Sequence, residues 1–212
     1  MRFLLKLQEP QVLIENRERW LKLYKENKKS VRNKYRYRDT NIKLQLKRET
    51  NSKCIYCESK IGHNTPGDVE HIIPSSINED QHFSWENLSI ACTECNRRKN
   101  SYYKEGNEFL NPYTDHDIED LIIHMGPIVG WKVGKMRAEI TIKTLELSNN
   151  KRSELVCRKI EKIEETNNLL ERFNSETNLM LKTLHKLSLE EMIDKRSEFS
   201  GMVRTIITAK LN

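Results

Sequence analysis

Two Cys-x2-Cys pairs, Cys54/Cys57 and Cys92/Cys95, enclose residues 58–91. No other feature restricts the fold as much. Each short turn offers two sulfurs to one metal, and two such turns complete the four-thiolate tetrahedron of a structural zinc site. The alternative is two unrelated cysteine pairs. The compartment bears on the choice. The opening apolar stretch, Met1 to Pro10, is short and broken by Lys6 and Glu9, so it does not read as a signal peptide. The longest apolar runs are a few residues, far below the roughly 20 needed to span a bilayer. A cytoplasmic location is expected, where a disulfide framework is disfavoured and metal ligation is favoured. The fifth cysteine, Cys157, falls in a helical pattern and is expected to be a small core residue.

Charge is unevenly spread. Residues 1–53 hold 16 Lys/Arg against 6 Asp/Glu, a balance of +10 within a total of +6, so the remainder is net acidic. The densest basic stretch runs from Arg17 to Arg38, with Trp20, Tyr24, Tyr35 and Tyr37 interleaved. Cations with aromatics suit a phosphate backbone and base stacking, and an ordinary solvated helix face is the plainer reading.

Apolar spacing predicts a helix over 11–29 and another over 38–50, ended by Asn51-Ser52-Lys53. Short strands are expected around Val69–Ile73 and Leu88–Ala91, and a helix from about Cys92 through Lys99. Phe109 to Tyr113 reads as an ordered loop, and Gly126-Pro127 marks a hairpin within 117–133. A long helix over about 150–174 is expected, with Val156, Ile160, Ile163, Asn167 and Leu170 on one stripe. Ser188-Leu189-Glu190-Glu191 reads as a capping box opening a last helix to about Ser200. The expected fold class is α+β, mainly helical around a central zinc-stabilised module. The expected organisation is a basic helical arm over 1–53, the module over 54–105, and a mostly helical region over 106–212 that is a candidate for partner docking.

A closed four-thiolate site hydrolyses nothing; it supplies folding energy to a segment that can hardly build its own core. Chemistry must come from what it encloses. Asp68-Val69-Glu70-His71 and Asn87 lie between the pairs, and Asn96 follows the last cysteine, with Lys99 three residues on. Adjacent strand residues point to opposite faces, so Glu70 and His71 reach one site only at a twisted strand end or turn. A surface Glu–His pair is the plainer alternative.

Read together, Cys-Ile-Tyr-Cys, Asp-Val-Glu-His-Ile-Ile-Pro, Trp-Glu-Asn-Leu and Ala-Cys-Thr-Glu-Cys-Asn-Arg-Arg-Lys resemble the HNH endonucleases, over about residues 54–100. The resemblance implies a treble-clef-like ββα-metal module and a catalytic set of His71, Glu70, Asn87 and Asn96. In that set His71 is the general base, Glu70 and Asn96 are ligands of a catalytic Mg²⁺ or Mn²⁺, and Asn87 braces the loop carrying the histidine. Asp68 is a candidate supporting carboxylate. The chain has Asn at position 96 and Glu at position 70, where many members have His and Asp. A neutral histidine can take a proton from water at cellular pH, and oxygen ligands suit a hard divalent ion. Arg97, Arg98 and Lys99 are candidate phosphate contacts, or simply an exposed helix face.

Outside the module, Met1-Arg2-Phe3, Glu9-Pro10, Phe109 to Tyr113 and Ala138 to Ile142 resemble the PtuB nuclease family of Septu anti-phage systems and of some retron defence systems. That resemblance implies a defence effector acting on nucleic acid, favouring DNA. It also implies a PtuA-like ABC-type ATPase partner and, in retrons, a reverse transcriptase with its DNA. Two rivals remain. One is a stand-alone restriction or homing-type HNH nuclease, which would need its own sequence-reading domain. The other is a catalytically inactive, zinc-stabilised nucleic-acid-binding adaptor.

Overall fold

The computed structural model describes residues 1–62, 66–148 and 150–211. The basic arm opens with α1, Gln11–Glu26, which starts after Pro10, whose fixed φ suits a helix entry. It buries Leu13, Trp20 and Tyr24. A single turn, α2 (Val31–Lys34), is capped by the Ser30 hydroxyl, which accepts from the Asn33 amide. In α3, Thr40–Glu49, the Asp39 carboxylate accepts from the Asn41 amide, and Ile42, Leu46 and Glu49 face inward. Asn51 and Ser52 then adopt positive φ (53° and 54°), where few residues other than Gly and Asn sit at ease, and the chain reverses into the first cysteine turn.

Strands β1 (Asp68–His71) and β2 (Leu88–Ala91) pair antiparallel, with Asp68 opposite Ala91 and His71 opposite Leu88. Gly67 feeds β1 at φ 72°, which glycine adopts without strain, and a Cβ there would lie 2.8 Å from the tip of the Ile61 side chain. Every residue of β2 is buried. Helix α4, Thr93–Lys99, follows at once, with Cys92 as its N-cap. The ββα order expected from the sequence is therefore present.

The C-terminal region begins with a short α5 (Ile118–Leu121) and a hairpin, β3 (Ile122–Met125) and β4 (Ile128–Trp131), turning at Gly126-Pro127. Helices α6 (Met136–Thr144), α7 (Ser153–Ser175), α8 (Leu179–Ile193) and α9 (Ser200–Leu211) complete it, with α7, α8 and α9 packed on one another. Among the described residues no helix is long and apolar enough to cross a membrane.

The three regions share one core. Met1 belongs to it, and Phe3 and Leu4 pack against it. The Leu4 amide donates to the Pro112 carbonyl (2.8 Å), and the Trp85 indole donates to the Leu7 carbonyl (2.7 Å). Lys6 reaches the Leu88 carbonyl and Glu49 while lying over the Trp85 and Tyr113 rings. Arg2 is buried and spans Glu119, the Ile193 carbonyl and the Ser200 hydroxyl.

Three expectations are corrected. Cys157 is exposed. The inward stripe of α7 is Leu155, Lys159, Thr166 and Leu170, while Ile160 is 41% exposed. The helix is turned so that Lys159 can donate to the carbonyls of Pro127 and Leu147, at 3.2 and 3.3 Å, and this satisfies its buried ammonium. Ser188 lies inside α8, and its hydroxyl bonds the Leu184 carbonyl one turn back. The helix opens instead at Asn178, whose side chain accepts from the amides of Met180 and Leu181.

Candidate active site and metal centre

The four knuckle sulfurs come together because each turn is held by its own backbone and both turns rest on the β1–β2 pair. In the first knuckle the Cys54 amide donates to the Ser59 carbonyl, and Glu58, at φ 63°, donates back to the Cys54 carbonyl. The Ile55 amide donates to the Ile90 carbonyl, which docks that turn on β2. In the second, the Cys92 sulfur accepts from the Cys95 amide at 3.4 Å. The sulfurs of Cys54, Cys57, Cys92 and Cys95 all lie within 4.8 Å of one another, and those of Cys57 and Cys92 are 3.8 Å apart. A tetrahedral ion with sulfur ligands at about 2.3 Å separates them by about 3.8 Å, so the set fits one metal. Arg152, arriving from the start of the C-terminal helices, is buried and donates to the Cys95 sulfur (3.2 Å) and the Cys92 sulfur (3.9 Å).

Glu70, His71 and Asn96 meet at a cleft of about 220 Å³ that Arg38, Lys99 and Ser101 also border, whereas Asp68 and Asn87 are not among its lining residues. His71 is the last residue of β1, where the chain turns away from the sheet, so it and Glu70 border the same space. The Nε2 of His71 lies 2.9 Å from the His82 carbonyl oxygen. That oxygen can only accept, so Nε2 carries the proton and the Nδ1 lone pair is free. The ring is held by the Tyr37 edge (centroids 4.5 Å, 74°) and stacks on the His82 ring (4.9 Å, 12°). Burial is the main reason that its pKa falls to about 3, which keeps the imidazole neutral.

Asn87 fixes the loop between the two histidines. Its carbonyl oxygen accepts from the Ile73 amide (2.7 Å), and its NH₂ donates to the carbonyls of Ile73 (2.9 Å) and Gln81 (3.1 Å). Glu70 is buried, and its Oε1 receives the Lys99 ammonium at 2.6 Å and the Tyr56 hydroxyl at 3.3 Å. Burial raises the pKa of its carboxyl, against the pull of Lys99. Asn96 donates from its NH₂ to Asp68 at 3.2 Å, an amide orientation that leaves its carbonyl oxygen as the available ligand. A carboxylate and an amide oxygen at one cleft are a donor set suited to a hard divalent cation rather than a thiophilic one.

The helix after the second knuckle places its cations unequally. Arg97 is exposed and pairs with Glu94 at 3.1 Å. Arg98 is mostly covered and pairs with Glu94 and with Glu146, the latter at 2.9 Å. Lys99 points inward, 2% exposed, and besides Glu70 it donates to the His71 carbonyl at 2.7 Å.

Sequence reasoning passed over Tyr56, His82 and Arg152. Tyr56 sits inside the first knuckle, so its position next to the ligands was the available signal. His82 acts through a backbone carbonyl and a ring face, and Arg152 comes from a distant segment; neither leaves a spacing to read.

Comparison with known proteins agrees with this geometry. The sequence pattern of the HNH endonuclease family matches residues 54–102. The chain is 30% identical over 148 residues to Septu protein PtuB of Bacillus mycoides (strain KBAB4), covering 56% of this chain and 50% of that one. It is 32% identical over 75 residues to Septu protein PtuB of Bacillus thuringiensis, covering 35% and 29%. The chain thus spans half or less of the length of these relatives. The knuckles, the ββα order and the matched residues lead to one assignment: residues 54–102 are an HNH endonuclease domain.

Proposed function

We propose that this chain is a metal-dependent nuclease that hydrolyses phosphodiester bonds in DNA, acting as the effector of an anti-phage defence system alongside a PtuA-like ABC-type ATPase. In retron systems a reverse transcriptase and its DNA would join them. The observation that carries the chemistry is His71. Its Nε2 proton is committed to the His82 carbonyl, and its free Nδ1 belongs to a residue bordering the cleft shared with Glu70 and Asn96. Similarity to two Septu proteins supports the defence role.

In this reading Nδ1 of His71 takes a proton from water, and the water oxygen attacks phosphorus as the 3′-oxygen departs. Glu70 and Asn96 would hold Mg²⁺ or Mn²⁺, which would supply charge stabilisation at the reacting phosphate. Asp68 orients the Asn96 amide. Lys99 ties the Glu70 carboxylate to the His71 backbone. Asn87 keeps the loop carrying the His82 carbonyl in register with β1. Cys54, Cys57, Cys92 and Cys95 would hold Zn²⁺ as a structural ion.

The test is cleavage of plasmid DNA with Mg²⁺ or Mn²⁺, with and without a co-expressed ATPase. His71→Ala should cut at least about a hundredfold more slowly, with unchanged zinc content and circular dichroism. Cutting at the parental rate by that variant would reject the assignment. No cleavage by the parent under any of these conditions would favour the inactive adaptor.

A further inference from the structure

Anionic ligands settle where cations have no acid of their own. On that criterion α4 is a poor phosphate grip, because Arg97, Arg98 and Lys99 are all paired with carboxylates. The arm is different. Among the described residues, Arg38, Lys43, Lys47 and Arg48 make no ion pair. The acids nearest them in the chain are committed elsewhere. Asp39 caps α3 through the Asn41 amide, and Glu49 is buried against Lys6 and the Leu7 amide.

These cations are also placed toward the chemistry. Arg38 is exposed and borders the cleft shared with Glu70, His71 and Asn96. Its guanidinium lies over the Tyr35 ring, 4.2 Å from the centroid, an aromatic backing that orients it without neutralising it. Lys43 and Lys47 follow on α3, four residues apart and so on one face, where like charges disfavour each other. Lys43 is pushed down in pKa by burial first and then by Lys47, with Asp68 opposing and Arg38 adding to the fall, so the three cations feel one another along the strip. The Lys47 ammonium extends to Gly62, beyond the first knuckle. The strip therefore leads from the cleft along α3.

We propose that Arg38, Lys43 and Lys47 form a phosphate-binding track for the DNA substrate, with Arg38 gripping the phosphate beside the scissile one. The track rests on the nuclease reading for its substrate, but it is a binding surface in its own right. It shifts the backbone contact from the HNH helix to the arm.

The test uses the full chain carrying His71→Ala, so that nothing is cut, and a fluorescein-labelled DNA duplex. Binding is followed by anisotropy between about 50 and 200 mM salt, where phosphate contacts dominate. Adding Arg38→Ala, Lys43→Ala and Lys47→Ala together should weaken binding about tenfold or more and make the slope of log affinity against log salt shallower by about 2 to 3. Arg97→Ala should change affinity less than about twofold, and Arg38→Lys in place of Arg38→Ala should restore part of the loss. Parental affinity and slope in the triple variant would overturn the track, as would a parent that binds no duplex at about 50 mM salt. A matching RNA duplex bound more tightly than DNA would overturn the choice of substrate. Plasmid cleavage, measured separately on the chain with His71 restored, keeps the two readings apart. A protein that binds through the strip but never cuts defeats the nuclease reading and leaves the track. One that cuts equally well without the three cations defeats the track alone.

Discussion

Asn87 puts three backbone groups, two from Ile73 and one from Gln81, under the control of one buried amide. Truncating it strands all three, at about 1–3 kcal/mol for each group left unpaired and not rescued by water. Asn87→Ala should lower unfolding free energy by about 2–4 kcal/mol in urea titrations. It should also abolish cleavage, because the His82 carbonyl would no longer be held against Nε2 of His71. A variant with normal stability and normal rate would show that the brace is dispensable. At this scale the short ordered motifs nominate Glu70, His71, Asn87 and Asn96 as candidates, and Glu70, His71 and Asn96 do border one cleft. The sequence was silent where a residue acts through its backbone, as His82 does. It also could not show that Lys99 turns inward beside two exposed-looking arginines, since that depends on which face of α4 meets β1.

The β3–β4 hairpin shows what an element can impose on one side chain. His124 on β3 is partly enclosed by α9, and its Nδ1 is buried without a partner among the described residues. It faces the N-terminal ammonium, Lys159 and Arg204, with Glu58 as the opposing charge. Burial first, and the ammonium second, take its pKa down to about 3. The unfolded chain, with an ordinary value near 6.5, therefore binds a proton that the folded chain refuses across that interval. Stability from this group is complete above about pH 6.5 and declines as pH falls toward 3. His124→Gln should flatten the dependence, so thermal melts at pH 7 and pH 4.5 should differ less for the variant than for the parent. Parallel melts would show that the ring titrates normally. Strand, hairpin and helix positions could be anticipated from periodicity and turn residues, but the rotation of α7 could not. Its apolar pattern nominates Ile160, and the carbonyls of Pro127 and Leu147 select Lys159 instead. The start of α8 was missed for a related reason. Ser188 has the right neighbours for a cap, but Asn178 lies where the chain actually turns.

The whole molecule is organised around the cysteine clamp, because β1, β2, α4 and both knuckles close on it while the arm and the C-terminal helices share its core. Losing the metal should thus affect more than the module. Cys92→Ser, or a strong chelator, should remove bound zinc, lower the melting temperature by 10 °C or more as an order of magnitude, and extinguish cleavage together with it. A metal-free protein that melts and cuts like the parent would show that the clamp is ornamental. The uneven charge of the chain was visible from composition, and so was the clamp. What could not be read was that Met1, Arg2 and the Leu7 carbonyl bond to Glu58, Ile193 and Trp85, because such contacts join segments far apart in sequence. Arg152 is the clearest case, and it carries a chemical consequence. Four thiolates around a divalent ion leave an electron-rich, doubly anionic cluster whose sulfurs are ready nucleophiles. A guanidinium donating to Cys95 and Cys92 withdraws part of that density. With a divalent ion in the clamp, that donation would make the sulfurs poorer nucleophiles toward peroxide and alkylating reagents, so the ion should be lost more slowly than from an Arg152→Ala variant.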